Sequence, residues 1–405
     1  MFRVILLSIA LLSVAESGKA PVYQLDSKTL IADEYIVVFQ SNTSVEAVVK
    51  HFKNVNSLIS NQNTSFKILR EFKMSHFMGY SFQGSLSTVK RLQEMPEIEF
   101  IEANQIMRAS QNCIDQRNAE WGLVRTTERA LRLDGIYSYA RDATGDGVDA
   151  YVIDTGIYLE HTDFQGRATW GIDTIDVPSP ETDENGHGTH VAGTIGGAMY
   201  GIAKDVNLIA VKVLNRDGAG STDAIIDGVR WVEDNHLTKK TKSTNAKGSV
   251  ANMSLGGGFS VAMNRAVESA ISSGITFIAA AGNDYGTDAC LVSPASVDKV
   301  ITVGCTTNTD QFCVFSNAGT CVNILAPGEG ITSCGIDGPF ADITLSGTSM
   351  SSPHVAGVAA KYISSLKSTP TPAEVKKWLD MNATKDKITE IPADTPNKLL
   401  FMDCS

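Results

Sequence analysis

From about residue 111 onward, short apolar runs alternate with stretches of helical spacing, and few folds accommodate that alternation. The clearest runs are Ala150-Tyr-Val-Ile153, Leu208-Ile-Ala-Val-Lys-Val213, Val250-Ala-Asn-Met-Ser254, Thr276-Phe-Ile-Ala-Ala280 and Val300-Ile-Thr-Val303. Most of their residues are apolar rather than every second one, which is the mark of strands covered on both faces. Helical spacing runs over 222–234, 260–273 and 349–366. Parallel neighbours need a crossover, and a helix supplies it. The expected fold class is therefore α/β: a mostly parallel sheet with helices on both faces. Open sheets of this kind place their sites beyond the carboxyl ends of the strands.

The chain has 405 residues, enough for two or three domains. Residues 1–15 read as a secretory signal: Arg3, an apolar run over 4–12, then the small residues Ser13 and Ala15. That run is too short to span a bilayer, and no later run of about 18 apolar residues follows. The expected product is secreted, extracellular and free of membrane. Residues 16–110 form a separate unit without cysteine, ordered β-α-β-β-α-β in the manner of a small ferredoxin-like α+β domain. Residues 111–405 form the larger unit. The stretch 239–247 reads as a solvated loop. A net charge of −11 argues against a nucleic-acid partner.

Three local motifs carry chemistry. Asp154-Thr155-Gly156 follows an apolar strand, where a lone Asp is most often a turn residue. Gly186-His187-Gly188-Thr189-His190 opens a helical run, and its glycines permit close approach to His187. The two histidines lack the spacing and intervening Glu of a zinc protease, so His187 reads as a base and His190 as structural. Gly347-Thr348-Ser349-Met350 delivers Ser349 to the start of a helix, where amide groups favour a developing anion. By itself Ser349 reads as an N-cap. Pro353 is compatible only with a first helical turn.

Together, in the order Asp, His, Ser, these motifs resemble the subtilase family of serine proteases. The likeness covers 116–403 and is nearest to the proteinase K branch, through Trp121-Gly-Leu123, Tyr151-Val-Ile-Asp-Thr-Gly156 and Ser254-Leu-Gly-Gly-Gly258. It implies a serine endopeptidase in which Asp154 orients the imidazole, His187 is the base and Ser349 forms an acyl-enzyme. Asn283, in Ala280-Ala281-Gly282-Asn283, would donate to the oxyanion. Ser254-Leu255-Gly256 and Gly218-Ala219-Gly220 would clamp an extended protein or peptide substrate as added strands. With Ala280, Ala281 and Gly282 the first segment walls a roomy, mainly apolar pocket, and Asp284 stands at its rim. Residues 35–106 resemble the family's inhibitor prodomain, an intramolecular inhibitor cut away near 108–114. The product is expected to be a monomer.

The chemistry requires no cofactor. The proteinase K branch holds a structural calcium ion with a carboxylate just before a Pro-Gly turn. Here Asn323 stands at that position and Asp298 where the branch uses only backbone, a weaker set for a hard cation. Seven cysteines imply up to three disulfides and one free thiol. The resemblance pairs Cys290 with Cys321. Cys305 and Cys313 are close in sequence, which leaves Cys113, Cys334 and Cys404 for one bridge. Sequons stand at Asn42, Asn63, Asn252 and Asn382, with Asn252 in a buried strand. The alternative reading is a subtilase relative that cuts itself, retains its prodomain and acts by binding. The intact Asp154, His187, Ser349 and Asn283 argue for chemistry instead.

Overall fold

The computed structural model describes residues 19–23, 30–60, 66–74, 77–106, 113–175, 181–242 and 247–404. The expected signal at 1–15, the sequon at Asn63 and most of the cleavage segment at 108–114 lie outside them. The chain divides into two compact units, residues 1–110 and 111–405.

The first unit is a five-stranded sheet in the order Val22–Tyr23, Ile98–Gln105, Leu30–Phe39, Phe77–Gly84, Phe66–Met74, with helices Val45–Ser60 and Leu86–Leu92. Val22–Tyr23 is an extra parallel edge strand beyond the β-α-β-β-α-β order. Val37, Phe39, Tyr80, Phe82 and Ile101 fill the core between sheet and helices. His51 is buried among them because both ring nitrogens have partners: Glu97 at 2.7 Å and the Tyr80 hydroxyl at 3.0 Å.

The second unit is built on a nine-stranded sheet. Its order is Ala168–Asp173, Asn207–Lys212, Val148–Asp154, Gly248–Met253, Ile275–Ala280, Ile301–Thr306, Ile324–Pro327, Lys398–Leu399, Thr384–Lys385. Every neighbouring pair is parallel except the last. Every residue of Val148–Asp154 and Ile275–Ala280 is buried, so apolar content on both faces was a sound guide. One face packs on helices His187–Gly196 and Thr348–Ser365, the other on Thr222–Lys242 and Val261–Ser272.

Two local expectations need correction. The stretch at 239–247 is not a free loop: the Thr222–Lys242 helix continues through its first part, and Lys239 pairs with Asp149 at 2.8 Å. The pairing gives a lysine-rich turn a fixed place, which local composition does not encode. Pro353 lies beyond the first turn of its helix, at the sixth residue of Thr348–Ser365. The carbonyl that its missing N–H would have served, that of Ser349, accepts the Ser254 hydroxyl instead at 2.8 Å.

Three disulfides staple the larger unit: Cys113–Cys404, Cys290–Cys321 and Cys305–Cys313. Cys334 is left as a buried thiol, and burial pushes its pKa far above the usual range. A second tie is the buried Arg125 guanidinium. It donates twice to Asp310, at 2.7 and 2.9 Å, and again to the Glu128 carbonyl. Removing one charge of such a pair strands the other, at a cost of about 3–5 kcal/mol. Asp310→Asn keeps the side-chain shape and suits the left-handed backbone there (φ 58°). It is expected to lower stability by about that amount, read from the urea unfolding midpoint. A change under about 1 kcal/mol would show that the pair contributes little.

Candidate active site

The strands Val148–Asp154 and Gly248–Met253 lie side by side, with Val152 opposite Asn252. From the first, the chain continues to the Ala168–Asp173 side of the sheet; from the second, it continues toward Ile275–Ala280. The crevice beyond their carboxyl ends is thus the sheet's switch point. Asp154 ends one strand and Ser254 follows the other.

Asp154 is completely buried. Its Oδ1 accepts the Thr155 amide at 2.8 Å and the His187 Nδ1–H at 2.7 Å. The turn after it is held from the next strand by the buried Lys212 ammonium, which donates to the Thr155 and Leu214 carbonyls at 2.9 and 3.0 Å. Sequence reading missed Lys212, since one lysine in an apolar run carries no local signal.

His187 opens the His187–Gly196 helix. Its N-cap, Gly186, has φ 98° and no side chain to cap with. Asp183 does the capping. Its carboxylate accepts the amides of Asn185, Gly186 and Thr189 at 2.9–3.0 Å and the Thr189 hydroxyl at 2.7 Å. An Asp four residues before the histidine was the available signal, and it was overlooked. Gly188 is required by contact: a Cβ there would come within 2.2 Å of the Gly156 carbonyl oxygen. The helix start can therefore touch the turn after Asp154. Burial disfavours the charged His187 ring, but the charge and hydrogen bond of Asp154, with a smaller share from Asp183, outweigh it and raise its pKa. His190 is buried with Nε2 on the Ile331 carbonyl at 3.0 Å, and burial lowers its pKa to about 4.

Ser349 is the second residue of its helix; the N-cap is Gly347. Its amide belongs to the first turn, whose N–H groups have no intrahelical acceptor. Its hydroxyl donates to the Ser254 carbonyl at 3.1 Å, and among the described residues no hydrogen bond joins it to His187. Ser254 is thus bonded to Ser349 in both directions. Asn283 is held by its carbonyl end: Oδ1 accepts the Thr348 amide and hydroxyl, both at 2.9 Å. Its Nδ2 is then left for the cleft.

Ser254, Leu255, Gly256, Ala280, Gly282, Asn283, Asp284 and Ser349 line one open cleft of about 490 Å³. Ala281 does not: its side chain is fully buried in the core cluster with Ala289 and Phe312. Gly218, Ala219 and Gly220 lie outside this cleft in an exposed turn closed by Asn215. Asn185, two residues before His187, bonds to Arg216 in the same turn. A larger apolar hollow of about 730 Å³ lies beside the Pro372–Asn382 helix and contains none of the predicted catalytic residues.

Comparison with known proteins extends this geometry. Residues 145–397 match the subtilase family and residues 34–110 the peptidase inhibitor I9 family. The subtilase-type proteinase psp3 of Schizosaccharomyces pombe is 43% identical, over 92% of this chain and 82% of its own. The subtilisin-like serine protease Pen c 2 of Penicillium citrinum is 40% identical, over 95% and 91%. A solved cold-adapted subtilisin-like serine proteinase superposes with a TM-score of 0.64 at 47% identity, covering 70% of this chain and 98% of its own. The chain belongs to the subtilase family: it is a serine endopeptidase preceded by an inhibitor-type prodomain.

Proposed function

We propose that this chain is secreted as a zymogen, sheds its signal and the prodomain over 16–110, and acts as a monomeric endopeptidase of broad, mainly apolar specificity through Asp154, His187 and Ser349. The observation that carries the reading is the 2.7 Å bond from His187 Nδ1 to the buried Asp154, one strand from the Ser254–Ser349 contact. The bond to Asp154 leaves the lone pair on Nε2. Ser349 turns its hydroxyl from the Ser254 carbonyl to that nitrogen, gives up its proton and attacks the scissile carbonyl. The Ser349 amide and Asn283 Nδ2 receive the oxyanion, and His187 returns the proton to the leaving amine. Ser254–Gly256 and Gly218–Gly220 grip the substrate main chain. The small walls Ala280 and Gly282 leave room for large apolar side chains.

Ser349→Ala is expected to abolish casein hydrolysis, a loss of about 10⁶-fold in kcat. It should also leave the prodomain attached, as read from the N-terminal sequence of the secreted protein. Processed unmutated protein that is inactive and still holds its prosegment would move the reading to a binding role. Asn283→Ala is expected to cost about 10²–10³ in kcat with little change in KM. An equal loss in binding and turnover would remove Asn283 from the oxyanion site.

The base must be neutral, so kcat/KM rises with pH as His187 loses its proton, and the midpoint of that rise should lie above the usual histidine value. Asp183→Asn removes one of the charges that favour protonated His187, so the midpoint should move to lower pH. A midpoint that stays put while activity falls would confine Asp183 to capping the helix.

A further inference from the structure

The calcium site implied by the family resemblance uses the backbone at position 298 and the side chain at position 323, and in this chain both oxygens are already taken. Lys376, from the Pro372–Asn382 helix, places Nζ 2.6 Å from the Asp298 carbonyl oxygen and 2.7 Å from that of Val300. Asn323 Oδ1 accepts the Thr302 amide at 2.9 Å, and the Asn323 amide returns a bond to the Thr302 carbonyl at 2.9 Å. Asn323 is therefore part of the seam between the Ile301–Thr306 and Ile324–Pro327 strands. A calcium ion needs six to eight oxygens at roughly 2.3–2.6 Å, carboxylates prominent among them. This position offers two carbonyls facing an ammonium, one neutral amide facing away, and the Asp298 carboxylate, whose charge already acts on that same ammonium. An ion there would meet a like charge across the same lone pairs.

We infer that the Lys376 ammonium takes the place of a structural calcium ion at the Asp298–Val300 turn, which leaves this part of the fold independent of divalent cations. Both cations do the same work, since each gathers backbone oxygens that would otherwise lack partners. Lysine provides one charge and three donors, with no ligand cage to build. It is also tethered, so its occupancy does not depend on an ion in the medium. Its aliphatic stem lies along the apolar hollow between this helix and the sheet, beside Ile301, Val322 and Leu379.

The test is thermal unfolding of the full protein, active-site-inactivated to prevent self-digestion, in excess EGTA and in millimolar calcium. Lys376→Met, which keeps the stem and removes the donors, should lower Tm by about 2–8 °C in both media. Lys376→Ala combined with Asn323→Asp clears the ammonium and restores a carboxylate. That double variant should gain a calcium-dependent rise in Tm larger than any shown by the unmutated protein. Should Lys376→Met fail to fold, Lys376→Gln, which keeps N–H donors without the charge, gives the same comparison. Two results would overturn the inference. One is a Tm of the unmutated protein that falls in EGTA, with the fall abolished by Asn323→Ala. The other is a Lys376→Met protein as stable as the unmutated one. Neither result bears on the catalytic residues, because no activity is read.

Discussion

Burying a carboxylate is costly unless donors meet it, and Asp154, with no exposed surface at the end of a buried strand, takes its two donors, the Thr155 amide and His187 Nδ1, on one oxygen. Much of the larger unit serves to bring those two donors to it. Parallel strands bring their carboxyl ends to one edge, and there the turn of Thr155 and Gly156 meets the start of the His187 helix. Lys212 pins that turn from one neighbouring strand. Asp183 fixes the helix start, so the imidazole arrives at Asp154 without a search through rotamers and helix orientations. A residue as small as Gly188 is part of the same requirement, because the two backbones nearly touch.

The sheet was legible because a strand covered on both faces is a run of Val, Ile, Ala and Leu, and burial demands this wherever the strand lies. Ser349 alone read as an N-cap, and its segment became legible only beside Asp154 and His187, in the order one family uses. What stayed hidden were side chains whose partners are far along the chain. Lys376 reaches a turn 78 residues earlier, and Arg125 reaches a carboxylate 185 residues later. No local window contains either partner. Pro353 misled for a related reason. The rule that excludes proline from a helix interior assumes the freed carbonyl has no other donor, and here Ser254 supplies one from just beyond the Gly248–Met253 strand. Ala281 was misplaced because its neighbours at 280 and 282 do face the cleft, while its own side chain turns inward.

The covalent ties act at a different scale from these polar ones. Cys113–Cys404 closes a span of 291 residues, against 31 and 8 for the other two bridges. In the chain-entropy account the longest loop removes the most freedom from the unfolded chain. It joins the first and last described strands and loops of the unit, where fraying would otherwise begin. Cys334 remains outside this scheme, buried beside the helix that carries His187: a Cβ added at Gly193 would lie 2.8 Å from its sulfur. No side chain larger than hydrogen fits at Gly193 without displacing that sulfur.

The reciprocal contact between Ser254 and Ser349 has one more consequence. The serine hydroxyl at 254 supports the helix that carries Ser349, and its carbonyl holds the Ser349 hydroxyl. Ser254 also lines the cleft, at the head of the segment assigned to the incoming peptide. In the proposed mechanism, recognition and reactivity therefore meet in a single residue. A shift of this wall would also disturb the hydrogen bond of the Ser349 hydroxyl. The cleft wall and the Ser349 hydroxyl thus share one backbone anchor.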